Sequence, residues 1–373
     1  MDAAADRADE LIAALERGES LPARWYTDAS IVDAEIARIF RRSWIYAGPL
    51  ERLRAVGDYL TTTVGDVPVI VVRNESGLAA FVNVCRHRRH IVMRDCGRAT
   101  ALQCGYHAWT YDLAGRLTGA PRSAHEPDFA LADYPLLPVR VETLGPWAFV
   151  NLDRDARPLR SQFAPVLDAI ATSGVDVHAL QLYRSESWDA RANWKTMLEN
   201  FLECYHCAIA HPRFSATIDV KPDRYRLTWD GWYCTQRGPL RRSPADGEVV
   251  EAQFYLLWPN VTLSINPGFP NVAIDVWYPD GPNRTTGFTR TFFAPGVAPQ
   301  VAEELIAFNA EVGAEDDALT DSVQRGLLGG RPDRGRFMRV AEELPLTFQK
   351  FVAAALGGDD ALLERLADRN TSC

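Results

Sequence analysis

No apolar run in the 373-residue chain approaches the ~20 residues needed to cross a bilayer, so a membrane-spanning protein is not expected. Positive charge is also scarce. The 40 Lys and Arg stand against 49 Asp and Glu, for a formal charge of −9. A nucleic-acid binder needs a basic surface to meet phosphates, so that class is excluded. The opening segment, MDAAADRADELIAALERGES, is acidic and amphipathic and lacks the basic, apolar and small-residue order of a secretory signal. The expected compartment is the cytoplasm, where thiols stay reduced. Internal repeats, low-complexity tracts and NAD or flavin motifs are missing as well. What remains is a composition of 47% hydrophobic and 24% charged residues, ordinary for a globular enzyme. The length predicts about two or three domains, and it buries enough core to fold without disulfides.

Residues 1–45 read as helical and are expected to pack on the catalytic domain. LIAALERG and DAEIARIFRRSW carry apolar residues at spacings of three and four, with Asp28 or Ser30 as a cap for the second helix. Residues 46–155 change to a small β domain. Its runs DYLTTTV, VPVIVVRN, LAAFVNV, ATALQC and WAFVNL are separated by turn residues, with hairpins expected at 74–77 and 113–116. Residues 156–373 mix helix and strand as an α+β unit. RANWKTMLENFLECYHCAIAH predicts one helix ended by Pro212, and 299–328 predicts one long helix. Strands are expected within 224–234 and 252–295, and QRGPLRRSPADGEV (236–249) reads as a mobile loop.

The seven cysteines, at 85, 96, 104, 204, 207, 234 and 373, are an odd and clustered set. In a reduced compartment this points to metal ligation and not to a disulfide framework. Several of the seven histidines, at 87, 90, 107, 125, 178, 206 and 211, fall beside them. In the β domain, Cys85-x-His87 is followed after sixteen residues by Cys104-x-x-His107. Each of two short loops thus offers one thiolate and one imidazole. A [2Fe–2S] cluster with two Cys on one iron and two His on the other needs this set, and its neutral imidazoles raise its potential. A structural zinc site uses the same ligand types but usually groups its cysteines together and its histidines together. His90 reads as a loop histidine and Cys96 as a spare thiol.

The second constellation is Glu203-x-x-His206-x4-His211. On a helix Glu203 and His206 share a face, but at ~100° per residue His206 and His211 splay by about 140°. A shared metal requires the helix to loosen or bulge between them. Two His and one carboxylate with open positions form the facial triad of non-haem Fe(II) oxygenases. A third ligand is available in GAEDDALTDSVQRGLL, which offers Glu315, Asp316 and Asp317. The plain alternative for His206 and His211 is a pair of core histidines. Cys204-x-x-Cys207, lying inside a predicted helix and not opening one after a strand, reads as packing and not as a redox dithiol.

The string carried by Cys85, His87, Arg88, Cys104, Tyr106, His107, Trp109, Tyr111 and Gly115 resembles the Rieske domain of Rieske non-haem iron oxygenases. The resemblance extends from LPARWYTDASIVDAEIARIFRRSW to the 316 region. There the E-D…S-V-Q-R-G-L segment is similar to the family's and assigns Asp316 to iron, leaving Glu315 and Asp317 on other sides of the helix, solvated. Arg89 and Ala108 depart from the pattern, since glycine is common at both positions. The resemblance implies an all-β Rieske [2Fe–2S] domain and a helix-grip-like α+β catalytic domain with a central antiparallel sheet and mononuclear Fe(II). It also implies O2 and electrons derived from NAD(P)H through a separate ferredoxin or flavin reductase. Further, it implies a head-to-tail homotrimer in which Glu203 bridges His107 of one subunit and His206 of another.

Glu at the bridge, in ENFLECYHC, looks more like the choline, carnitine and betaine monooxygenases than the ring-hydroxylating dioxygenases, which usually carry Asp. The expected reaction is therefore hydroxylation or N-demethylation of a small quaternary ammonium compound. Aromatic faces hold such cations, and Trp232, Tyr233, Tyr255, Trp258 and Trp277 are the candidates, although each also reads as sheet core. Three other readings stay open: hydroxylation or dihydroxylation of an aromatic compound, a Rieske electron carrier without oxygenase activity, and a zinc hydrolase built on His206 and His211.

Overall fold

The computed structural model describes residues 8–368. Cys373 and the first seven residues of the acidic N-terminal segment lie outside the described residues. Two compact units result: Phe40–Ser161, and the described residues before and after it. The inserted unit begins ahead of residue 46 because the 3-10 turn Phe40–Arg42 leads directly into the sheet strand Ile45–Pro49.

In the inserted unit, DYLTTTV and VPVIVVRN form the strands Asp58–Val64 and Val67–Asn74. Their β-branched residues suit a pleated, half-buried surface. The turn at 74–77 closes a hairpin onto Gly77–Val82, with Asn74 paired to Gly77. These strands belong to a seven-stranded antiparallel sheet. Its order is Ile45–Pro49, Trp147–Asn151, Pro138–Leu144, Gly77–Val82, Val67–Asn74, Asp58–Val64 and Cys96–Arg98. A separate three-stranded sheet joins Leu102–Gln103, Thr110–Tyr111 and Leu117–Gly119. The core between them packs Ile70, Val72, Phe81, Leu102, Tyr111 and Leu117 around the thiols of Cys85 and Cys104. Gly115, in the 113–116 turn, has φ +80°, and a Cβ there would lie 2.5 Å from the Phe81 ring, so only glycine fits.

The other unit carries its own seven-stranded antiparallel sheet. The order is Gln181–Ala190, Thr285–Phe293, Asn271–Pro279, Val261–Ile265, Glu251–Leu257, Tyr233–Pro239 and Arg226–Asp230. Residues 236–239, expected in a loop, are therefore strand. Helices Ala8–Glu16 and Ala29–Arg38 pack on the apolar helix Glu343–Gly357. Asp28 is the cap of the second, accepting from the Ser30 N–H at 2.9 Å. The helix Pro299–Leu328 has the expected bounds. No helix among the described residues is long and apolar enough to cross a membrane.

One expectation fails in a useful way. RANWKTMLENFLECYHCAIAH is not a single helix but two short ones, Trp194–Phe201 and Cys207–Ala210, with a third, Pro212–Thr217, directly beyond it. Pro212 follows the end of Cys207–Ala210, as expected, and also occupies the first turn of the third helix, where its missing N–H has no intrahelical partner to lose. Lys195 and Glu35, both fully buried, anchor the first of these helices through a 2.5 Å ion pair. Glu35 also accepts from Trp194 Nε1 at 2.7 Å. Removing one partner of such a pair costs about 3–5 kcal/mol, because the other charge is left buried and alone.

Candidate metal centres

The two Cys–His loops of the inserted unit have the same backbone wiring. The Cys85 N–H donates to the His90 carbonyl at 2.8 Å, and the Arg89 N–H returns to the Cys85 carbonyl at 3.1 Å. In the second loop the Cys104 N–H donates to the Trp109 carbonyl at 2.8 Å, and the Ala108 N–H returns to the Cys104 carbonyl at 3.0 Å. In both loops the residue four after the cysteine has a left-handed backbone, φ +59° at Arg89 and +55° at Ala108. These are the two positions where glycine was expected, and the geometry gives the reason: a Cβ in this region costs roughly 1 kcal/mol.

The loops bring the four expected ligands together. The His87 and His107 rings meet edge to face, 4.6 Å between centroids, and Trp109 stacks on His87 at 5.0 Å. Cys85 and Cys104 are buried, whereas both imidazoles are exposed. Burial, then the neighbouring Cys85 thiol, raises the Cys104 pKa. Partial desolvation, then the charges of His87, Arg88 and His90, lowers that of His107, which favours the neutral imidazole that ligates metal. Tyr111 Oη lies 3.4 Å from Cys85 Sγ and accepts from the Arg86 N–H at 3.0 Å. His90 Nδ1 is 3.7 Å from Cys104 Sγ. Cys96 is an exposed free thiol. Two inward sulfurs and two outward nitrogens fit a Cys2His2 [2Fe–2S] cluster with its histidine side at the surface.

In the other unit His206 and His211 flank the short helix Cys207–Ala210, which ends at His211 with a non-helical backbone (φ −119°, ψ 73°), and this relieves the expected splay. His206 and His211 now turn their Nε2 atoms to each other at 3.0 Å, and Asp316 Oδ1 lies 3.0 Å from His211 Nε2 and 3.5 Å from His206 Nε2. One ligand atom from each of the three falls within 4.8 Å of the others. Behind this triad each imidazole is held at Nδ1 by a carboxylate: Glu203 on His206, and Glu315 on His211 at 2.7 Å. Glu203 also accepts the backbone N–H groups of Tyr205 and His206. Asn200 Nδ2 donates to Asp316 Oδ1 at 2.6 Å. Glu315 was expected in solvent; the break in the 194–217 segment swings His211 toward it. Asp317 is exposed, at the cavity edge.

Electrostatics match the geometry. Burial works against charge at all three ligands, yet hydrogen bonds to Asp316 and Glu203 lift His206 to about 9, and those to Asp316 and Glu315 raise His211. Asp316 falls to about 2 through hydrogen bonds from His206, His211 and Asn200. The carboxylates create a field that favours positive charge at the centre. Two Nε2 donors and one carboxylate, each oriented from behind, fit a divalent iron with open coordination positions. Cys204 and Cys207, expected as free packing thiols, are joined in a disulfide. Cys204 stands in the turn between two short helices and Cys207 opens the second, with Cα atoms 4.9 Å apart, a separation that a disulfide spans.

The triad lines a cavity of about 560 Å³. Of the five aromatic candidates, Trp277 lines it and the other four do not. Trp232 and Trp258 pack on Phe351, with centroids at 5.7 and 5.3 Å. Tyr233 donates to Asp230 at 2.8 Å, and buried Tyr255 to Gln253 at 2.6 Å. Strand parity accounts for Tyr233 and Tyr255: Gln236 and Phe254 line the cavity, and side chains one or three residues away point to the opposite face. The unpredicted lining includes Trp188, Phe201, Phe254 and Asp275. Asp275 had a readable signal, an acid inside the otherwise apolar run VAIDVW.

Comparison with known proteins agrees with both centres. Residues 43–135 match the Rieske [2Fe-2S] domain, and residues 177–358 match the catalytic domain of the ring hydroxylating alpha subunit. The chain is 32% identical over 328 residues to the carnitine monooxygenase oxygenase subunit of Escherichia coli K12, covering 86% of this chain and 87% of that one. It is 28% identical to the chloroplastic choline monooxygenase of Arabidopsis thaliana, over 88% and 81% of the two chains. The crystal structure of the quaternary ammonium Rieske monooxygenase CntA with L-carnitine superposes with a TM-score of 0.81 at 27% identity, covering 93% of this chain and 98% of that one. Two metal centres built as these are, in a chain related along most of its length to such enzymes, make it a member of the Rieske non-haem iron oxygenases: an oxidoreductase with a Rieske [2Fe–2S] cluster and a mononuclear iron, acting on a substrate with O2 and a separate electron-transfer partner.

Proposed function

We propose that this oxygenase hydroxylates or N-demethylates a small quaternary ammonium compound. The observation that carries the reading is that the triad and the indoles of Trp188 and Trp277 line one cavity. Aromatic faces bind a trimethylammonium group by cation–π attraction, worth about 0.5–2 kcal/mol per site. The relatives named for carnitine, choline and glycine betaine support the same class.

His206, His211 and Asp316 hold the iron, which when bound supplies the O2 activation for R–H + O2 + 2e⁻ + 2H⁺ → R–OH + H2O. Glu203 and Glu315 fix the imidazoles so that Nε2 faces the centre. Cys85, Cys104, His87 and His107 hold the cluster that receives electrons from a ferredoxin or flavin reductase. The assembly is a homotrimer, and Glu203, already on His206, extends to His107 of a neighbouring subunit. The exposure of His107 leaves it accessible to such a contact.

Hydroxylation of an N-methyl group gives a hemiaminal that releases formaldehyde. The test is to supply the reconstituted enzyme with reductant, O2 and a panel of quaternary ammonium compounds and aromatic acids, scoring formaldehyde and substrate loss. Turnover of ammonium compounds is expected; turnover of aromatic acids alone refutes the proposal. For the bridge, Glu203→Ala, assayed at excess iron to offset the lost brace on His206, is expected to keep the cluster and a filled iron site while multiple-turnover activity falls by about 10²-fold or more. Full multiple-turnover activity in that variant rules the bridge out.

A further inference from the structure

The cavity wall is selective in charge as well as in shape. Six carboxylates line it, from Glu186, Asp189, Glu203, Asp275, Asp316 and Asp317, and among its lining residues there is no lysine or arginine. Glu203 and Asp316 are engaged at the triad. Asp189, at the exposed rim, is paired with Arg284 at 3.2 Å, and that guanidinium also meets Asp280 at 3.1 Å. Asp275 is different, for it sits within the sheet and faces inward.

Its neighbours are set by strand register. Thr289 and Thr262 are its direct cross-strand partners on the two flanking strands. One row along, Gly287 lies between Trp188 and Trp277, paired to both. A Cβ at Gly287 would come within 2.3 Å of the Trp188 ring, so the missing side chain is what lets the two indoles approach to 4.7 Å between centroids. Each indole is then tied back to Asp275. Trp188 Nε1–H donates to Thr289 Oγ1 at 3.1 Å, and Trp277 Nε1–H to Thr262 Oγ1 at 3.0 Å. Both threonines donate in turn to the Asp275 carboxylate. Two aromatic faces and one carboxylate are thereby held as a unit. Burial lifts the Asp275 pKa to about 6, against the two threonine hydrogen bonds, and no cationic side chain contributes to the shift. Among the described residues no cationic side chain is paired with this carboxyl group.

Building on the quaternary ammonium reading, we propose that the cavity selects net-cationic ammonium compounds whose far end is uncharged, with Asp275 as the counter-charge behind the Trp188–Trp277 pair. A zwitterion brings a carboxylate into the same space. That group loses water, finds no lysine or arginine and, away from the triad, meets like charges, all of which oppose its binding. In substrate charge the enzyme stands with choline and apart from carnitine and glycine betaine.

Matched pairs test this directly: glycine betaine against its amide, and carnitine against its amide, nearly equal in size and different in charge. Calorimetric Kd and kcat/KM are measured on the reconstituted holoenzyme. Each amide is expected to be favoured over its acid by about tenfold or more. In Asp275→Asn, which keeps an acceptor for the threonines, affinity for the amide falls and the amide-to-acid ratio shrinks toward one. The wild-type ratio decides the matter even if the variant does not fold. Equal or better binding of the zwitterions overturns the charge assignment and leaves the oxygenase reading intact. Turnover confined to aromatic acids overturns the ammonium reading on which it rests.

Discussion

The two metal centres are held by opposite means. At the cluster, backbone does the positioning: two loops with the same pair of main-chain hydrogen bonds and the same left-handed residue present their ligands from a β framework. At the iron, side chains do it. The ligands come from a broken helical segment and a distant helix, and carboxylates on Nδ1, with Asn200 on Asp316, set their directions. A backbone-wired site tolerates changes next to its ligands, whereas a side-chain-braced site passes each change to the metal. The sharpest test is to remove a ligand from the braced site. Asp316→Ala should bind two irons per chain in place of three, keep the cluster's visible spectrum, and lose oxygenase activity by more than about 10³-fold. Loss of the cluster along with the iron would break the comparison, since it would mean that the two centres do not assemble independently.

Glu315→Gln is the next largest effect, and it tests a brace without touching a ligand. The amide no longer supplies a charged acceptor to His211 Nδ1. Losing such a partner typically costs 10- to 100-fold in metal affinity. Iron titration of the variant should show that weakening at the mononuclear site alone, with rescue of activity at excess iron. Unchanged affinity would show that His211 is held by packing, not by Glu315.

How much of this was legible differs between the same two regions. The cluster loops could be read because their ligands and backbone turns are local in sequence, and strands such as Asp58–Val64 and Val67–Asn74 follow directly from their β-branched runs. The residues proposed as iron ligands could also be read by type, with Asp316 singled out among its neighbours only through the similarity of its segment to the family's. Their supports could not. Glu315 reaches His211 only because the helix breaks after Phe201, and helix propensity gave no sign of that break. Among the aromatic candidates Trp277 lines the cavity, whereas Tyr233 and Tyr255 face away from it, because residue type alone carries no strand parity. Trp188 lies in a polar strand, Gln181–Ala190, that hydrophobic periodicity does not mark, because it is largely exposed.

A smaller effect should come from Tyr111→Phe at the cluster. The lost contact is the hydroxyl 3.4 Å from Cys85 Sγ. Hydrogen bonds to ligand sulfur raise the potential of such clusters. A net bond of ~1 kcal/mol corresponds to about 40 mV for one electron. Protein-film voltammetry should therefore show a lower potential by roughly that amount, with full iron content. If iron content fell instead, side-chain bracing would matter at the cluster too, and the contrast between the centres would narrow.

The finest test lies in the backbone itself. At Ala108, φ of +55° puts the Cβ in a region that L-residues seldom occupy, and Ala108→Gly removes that strain of roughly 1 kcal/mol. Glycine also gives the unfolded chain more freedom, which takes back about 0.4–1 kcal/mol. The net gain is thus below about 1 kcal/mol, a rise in Tm of at most a few degrees, read from the bleaching of the cluster's visible absorption on heating. Arg89→Gly relieves the same strain but also removes a positive charge close to the cluster, so its potential should fall while that of Ala108→Gly stays put. A stabilised Ala108→Gly with an unchanged potential would separate the two roles of these loops, geometry from the backbone and charge from the side chain. A destabilised one would mean that the return hydrogen bond to Cys104 depends on the alanine, and that the loop is not set by its backbone alone.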